Sequence, residues 1–240
     1  MEENMLKNLK NYFVGLWLVV LTGSAYTPAL AGNMAVETVD GASSALVLIE
    51  YQREWLDTQG KLHSHFENKE LFRASLANSA LALEAARKAG MNIVHVGLQF
   101  TPGYPELGQN SRYGLRKGIQ MAQTFQQQSG ACEFVPPFAP LVGEFVVSGR
   151  TGSSAFAGSN LDSYLRNNHI TDVYIMGYST HVCVESTFRQ AHDMGYNTTV
   201  IIDATAAFNQ QQQDYFADNI VPFFGRQMKA AAFAAALADK

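Results

Sequence analysis

Apolar residues are distributed along this chain in two alternating rhythms. Ala45-Leu46-Val47-Leu48-Ile49 is a continuous apolar run bounded by Gly41 and the charged Glu50. An unbroken run of this length reads as a strand buried on both faces, as in a parallel sheet. Phe72, Leu76, Ala80, Leu83 and Ala86 then recur every three or four residues, the apolar stripe of a helix, and Gly90 stands where a C-cap belongs. Ile93–Val96 repeats the strand pattern. From Phe100 to Gly143 the chain is rich in Gly, Pro and Gln, which predicts loops with one short helix.

The alternation resumes with a short strand at Phe145–Val147 and a helix at Leu161–Asn167, introduced by Ser159 or Asn160. Val173–Met176 predicts a strand stopped by Gly177, followed by a helix from about Val182 to Met194 and closed by Gly195. Thr198–Ile202 predicts the next strand, ending at Asp203. A polar helix around Gln210–Asn219 and a short apolar piece at Ile220–Phe224 complete the pattern, with an Ala-rich tail beyond. Strands that alternate with helices imply an α/β fold, a parallel sheet with helices on both faces. Ligands of such sheets bind beyond the carboxyl ends of the strands, where the strand order reverses. Glu50, Gly149-Arg150 and Ser179–Cys183 all follow strand ends and mark the place to look.

Composition narrows the class. A chain of 240 residues, 47% hydrophobic and 16% charged, is long enough for one α/β domain with a sizeable core. A net charge of −4 and the absence of a basic run exclude an electrostatic nucleic-acid footprint. The first thirty residues differ from the rest. Lys7 and Lys10 precede the apolar stretch Phe13–Leu21, and small residues follow to Ala29-Leu30-Ala31. This is the order of a secretory signal peptide over residues 1–31, which leaves a mature domain at 32–240 in a periplasmic or secreted location. The apolar core is shorter than the roughly 20 residues of a membrane span, so no membrane association is expected after cleavage. The two cysteines, Cys132 and Cys183, would be free to form a disulfide in that compartment.

Cys183 stands at the point of most chemical interest. In Gly177-Tyr-Ser-Thr-His-Val-Cys183-Val-Glu-Ser-Thr a strand gives way to a turn and the cysteine falls in the first turn of a helix. Unpaired N–H groups and the helix dipole favour a thiolate there, and they also face an oxyanion formed when sulfur attacks a carbonyl. From about Ala45 to Phe224 the chain resembles the isochorismatase-like cysteine hydrolases, the superfamily of nicotinamidase and N-carbamoylsarcosine amidase. The matching segments are Leu46-Val-Leu-Ile-Glu-Tyr-Gln52, Ser154-Ala-Phe-Ala-Gly-Ser-Asn-Leu-Asp162, Gly177–Val184, Asp193-Met-Gly-Tyr196 and Ile202-Asp-Ala-Thr205.

The resemblance implies a three-layer α/β/α domain around a mainly parallel six-stranded sheet, and commonly a homo-oligomer. It also implies a catalytic set of an Asp, a Lys and a Cys at successive strand ends. Only the cysteine is carried over unchanged. Glu50 stands at the Asp position, two residues before Gln52, and Arg150 at the Lys position, six residues before Phe156. Glu50 can serve as the general base, whereas an arginine holds charge and does not donate its proton. The expected oxyanion donors are the backbone N–H groups of Ser179 and Cys183. Tyr51, Trp55, Phe100, Tyr104, Tyr178 and His181 lie beside these positions and predict an aromatic-lined pocket for a small-molecule substrate.

Some relatives bind a divalent metal through an Asp-x-His pair. Gly97–Tyr104 lacks that pattern, and His63 and His65 have no carboxylate partner at motif spacing, so neither metal nor cofactor is expected. The implied activity is hydrolysis of a C–N bond in a small amide, ureide or N-carbamoyl compound through a Cys183 thioester. Two alternatives stay open, an isochorismatase-type ether hydrolase and a non-catalytic binding protein whose Cys183 is bridged to Cys132.

Overall fold

The computed structural model describes residues 39–108 and 111–238; the signal segment read at 1–31 lies outside them. Six strands form one sheet, β1 (Ser44–Ile49), β2 (Asn92–Val96), β3 (Phe145–Val146), β4 (Asp172–Tyr178), β5 (Asn197–Ala206) and β6 (Arg226–Met228). Their spatial order is β3-β2-β1-β4-β5-β6, and every neighbouring pair is parallel. The chain leaves β1 toward β2 on one side and returns to β4 on the other, so the order reverses between β1 and β4. That crevice is where the carboxyl ends of two central strands open a site.

The helices are α1 (Arg53–Leu56), α2 (Lys69–Lys88), α3 (Gly114–Ala122), α4 (Leu161–Asn167), α5 (Glu185–Asp193), α6 (Gln210–Tyr215), α7 (Val221–Phe224) and α8 (Ala230–Ala238). Two cores sandwich the sheet. Leu46 and Leu48 of β1 pack with Tyr174 and Met176 of β4 against Phe72 and Leu83 of α2 and Phe233 of α8. The alternate residues Ala45, Val47 and Ile49 pack with Val173 and Ile175 against Leu161 and Leu165 of α4 and Phe188 of α5. Both faces of β1 are therefore dry, which explains its unbroken apolar run. The Asn68 side chain accepts the Leu71 N–H and fixes the start of α2.

Several boundaries differ from the sequence reading. β4 continues through Gly177 to Tyr178, because Gly177 adopts φ 122° and lies directly against β1. A Cβ there would sit 2.1 Å from the Ile49 carbonyl oxygen. β5 passes Asp203 to Ala206, and its register against β4 shifts between Ile175↔Val200 and Gly177↔Thr205. The apolar piece Ile220–Phe224 ends a wide helical turn and forms α7, whereas the sixth strand is the polar Arg226–Met228. An edge strand needs few apolar residues; Arg226 Nε donates to Thr199 Oγ1 on β5. The Ala-rich tail is α8, held by Phe233 and Leu237 on the sheet-facing side.

Candidate active site

Glu50 ends β1 in a left-handed backbone conformation, φ 59°, and its N–H donates to the Val96 carbonyl at 2.7 Å. A non-glycine residue in that region is strained, and such strain concentrates at functional positions. The carboxylate is buried. Its Oε1 lies 2.7 Å from Arg150 Nη2, and its Oε2 accepts from Trp55 Nε1 at 2.7 Å.

Arg150 enters from the loop after β3 and is held from behind. Its Nε donates to the Gly152 and Ser154 carbonyls at 3.0 and 3.3 Å, and Nη2 donates to the Ser153 carbonyl at 2.5 Å. Nη1 is buried with no hydrogen-bond partner. Burial works against the guanidinium charge, but Glu50 and Cys183 outweigh it and hold the Arg150 pKa above its ordinary value.

Cys183 sits on a wide turn, Thr180–Val184, between β4 and α5; the Tyr178–Ser179 peptide before it is cis. Glu50 and Arg150 both lie near enough to its thiol to act on its ionisation. Burial, reinforced by the Glu50 charge and opposed by Arg150, pushes that thiol well above its ordinary pKa. Desolvation and the carboxylate neighbour thus outweigh the cation and oppose the thiolate that a helix mouth would favour. The backbone also differs from the expected open helix mouth. The N–H groups of Val182, Cys183 and Val184 all donate to the Ser179 carbonyl, at 3.2, 3.1 and 3.2 Å. The Cys183 N–H would therefore be shared between that carbonyl and an oxyanion. Ser179 Oγ is buried beside it without a partner.

Two residues that sequence reasoning passed over fix this turn. Thr187 Oγ1 donates to the Cys183 carbonyl at 2.7 Å and accepts the Ala155 N–H at 2.9 Å, which joins the cysteine turn to the Arg150 loop. Its position four residues after Cys183, on the same helix face, was the available signal. Gln213 Oε1 accepts from Thr180 Oγ1 and from the Ala207 N–H, each at 2.8 Å, while Nε2 donates to Thr205 Oγ1 at 3.0 Å. Nothing distinguished it within a run of four glutamines.

A cavity of about 370 Å³ opens over Glu50, Ser179 and Cys183. Of the six residues expected to line it, Trp55 does. Tyr51 and Tyr178 are buried in the core, hydrogen-bonded to Ser79 Oγ at 2.7 Å and Ser75 Oγ at 3.0 Å. Phe100 and Tyr104 pack behind the wall, the Tyr104 hydroxyl donating to the Thr124 carbonyl at 2.9 Å. His181 stands edge-on to Phe208, 4.6 Å between ring centres, and burial lowers its pKa. The wall itself comes from residues the sequence did not single out, Leu98, Phe125, Val182, Phe208 and one face of α3. His63 Nδ1 contacts the Trp55 carbonyl at 3.0 Å and His65 stacks on Phe208. Among the described residues no three His, Cys, Asp or Glu side chains converge as a metal set would. Both cysteines are free, and Cys132 Sγ donates to the Gln126 carbonyl at 3.2 Å.

Residues 44–232 match the isochorismatase domain. The chain belongs to the isochorismatase family. Among relatives of this family, ureidoacrylate amidohydrolase RutB of Stutzerimonas stutzeri is 31% identical over 206 residues, 80% of this chain and 82% of that protein. A cysteine hydrolase from Pseudomonas syringae pv. phaseolicola superposes with a TM-score of 0.70 at 19% identity, over 83% of this chain and 94% of that one. The N-carbamoylsarcosine amidase of Thermoplasma acidophilum gives 0.61 at 24% identity, over 78% and 96%. At these identities both superpositions are likenesses of fold.

Proposed function

We propose that this isochorismatase-family hydrolase cleaves a C–N bond of a small amide, ureide or N-carbamoyl compound, with Cys183 as nucleophile. The observation that carries this reading is the placement of a buried cysteine thiol beside a buried Glu50–Arg150 pair at the floor of a cavity. The amidohydrolase relative supports the reaction class.

A neutral thiol beside a carboxylate sets the order of events. Glu50 takes the thiol proton as sulfur adds to the carbonyl carbon, so the thiolate forms only as its charge moves onto the carbonyl oxygen. Backbone N–H groups of the Ser179–Cys183 turn receive that oxyanion. Glu50 returns the proton to the departing nitrogen, the C–N bond breaks, and ammonia or an amine leaves a Cys183 thioester. Water, deprotonated by Glu50, then releases the acid and restores the thiol. Arg150 remains charged throughout and balances the site.

The test compares wild type with Cys183→Ala for ammonia release from ureidoacrylate, N-carbamoyl amino acids and simple amides. The variant is expected to lose at least a thousandfold, and mass spectrometry of quenched wild type should show an acyl adduct on Cys183. Ammonia release that survives the substitution would overturn the thioester route. The leader read at residues 1–31 adds export to the proposal, tested by fractionating cells that produce the full chain.

A further inference from the structure

The cavity over Cys183 is walled by apolar groups on nearly every side. Leu98 and Phe125 come from the segments after β2, Val182 from the cysteine turn and Phe208 from the loop after β5. The helix α3 closes the remaining side with Leu115, Gly118, Ile119 and Ala122, spaced i, i+3, i+4 and i+7 along one face. Among the described residues, Glu50 is the one carboxylate or fixed charge that reaches the lining, and it is an anion.

Each nearby cation is occupied or turned elsewhere. The Arg150 guanidinium lies against Glu50 and, although its Nη1 has no hydrogen-bond partner, does not reach the lining. The Lys61 ammonium donates to the Ala122 and Gln123 carbonyls at 3.1 and 2.6 Å, at the end of α3. Arg112, Arg116 and Lys117 are exposed and absent from the cavity wall. His65, at the exposed mouth, lies stacked on Phe208 at 5.2 Å. A substrate carboxylate entering this space would lose its water and meet no compensating charge, a cost far above that of an apolar group.

We propose that the site takes uncharged amides bearing an apolar chain or ring, and excludes those whose chain carries a carboxylate. The proposal rests on the hydrolase reading above for the position of the amide, with the amide carbon over Cys183 Sγ. The apolar part lies between α3 and Phe208. About 370 Å³ accommodates roughly a dozen water-sized groups, which limits the chain to a small molecule.

The test uses straight-chain primary amides from propanamide to heptanamide and, for each, the ω-carboxylate of equal length. Dissociation constants are measured by calorimetry on Cys183→Ala, and ammonia release is measured in parallel on wild type. Binding is expected to tighten about fourfold per added methylene until the cavity is full. Each ω-carboxylate should bind at least tenfold more weakly than its neutral counterpart. Protection of the wild-type thiol from iodoacetamide by the same compounds supplies the ranking if the variant does not fold. Equal or tighter binding of the carboxylates, or affinity independent of chain length, would overturn the proposal. Length-dependent binding without ammonia release from any wild-type reaction would instead sink the hydrolase reading and leave the pocket's preference standing.

Discussion

Replacing Arg150 by lysine keeps the charge beside Glu50 and removes the guanidinium's second set of contacts. Arginine donates through Nε to the Gly152 and Ser154 carbonyls and through Nη2 to Ser153, while Nη2 also lies 2.7 Å from Glu50. A lysine ammonium is a single point with three protons and cannot serve both sides of this position. If it stays with the carboxylate, the loop carbonyls lose a charged donor, worth about 1.5–3 kcal/mol for each bond. Gly152 and Ser153 are half-exposed, so water replaces part of the loss. The expected destabilisation is about 2–3 kcal/mol, which lowers Tm by roughly 4–12 °C for a domain of this size. Thermal unfolding followed by circular dichroism measures it. Arg150→Met serves as the comparison, because it leaves Glu50 buried without a partner and should cost about 3–5 kcal/mol. A lysine variant whose Tm matches wild type within a degree would refute the reasoning. The loop would then be held by its own bonds, Thr151 N–H to Ala157 O and Ala155 N–H to Thr187 Oγ1.

Three further outcomes are expected. Since the folded Cys183 thiol resists ionisation, its contribution to stability is complete below the ordinary thiol value of 9.0 and declines as pH rises above it. Urea midpoints from pH 7 to 10 should fall less steeply in Cys183→Ala than in wild type, and parallel slopes would count against this. Burial pushes the Glu144 carboxyl up, yet the Arg87 side chain, the Leu141 N–H and His95 pull it down to about 2. The resulting stability is present above the ordinary value of 4.5 and is lost as pH falls toward 2, so Glu144→Gln should flatten the acid limb of the denaturation curve. Gly177→Ala places a methyl group 2.1 Å from the Ile49 carbonyl at φ 122°, and soluble yield should collapse; a folded variant of wild-type Tm would contradict the close approach of β1 and β4.

The sheet was legible where burial on both faces leaves a local trace, as in Ala45–Ile49 and Val173–Met176. It was less so at β6, whose Arg226-Gln227-Met228 carries no apolar signature because an edge strand covers little of the core. The three strand-end residues could be named because each follows directly from an apolar run or a motif. The cavity wall could not. Tyr51 and Tyr178 neighbour Glu50 and Ser179 in sequence, yet their side chains turn into the core with Ser79 and Ser75. Ile119 and Phe125 reach the cavity from a segment whose Gly- and Gln-rich composition predicts loops and one short helix but does not say which residues face the site. The upward shift of the Cys183 thiol was also beyond local reading, since it depends on how completely water is removed from three groups brought together by distant strands.

The helix α3 belongs to an excursion between β2 and β3 that contributes no strand to the sheet, while the reacting groups stand on strand ends and the turn after β4. On the proposed function, one wall of the pocket is thus encoded apart from the proposed reacting groups, although Val182 and Phe208 belong to stretches that also shape the site. The excursion is nevertheless fastened beside Glu50, since the Val135 N–H donates to the Tyr51 carbonyl and Gln52 Nε2 to the Cys132 carbonyl. A change in the excursion that alters what fits is therefore also felt at the carboxylate.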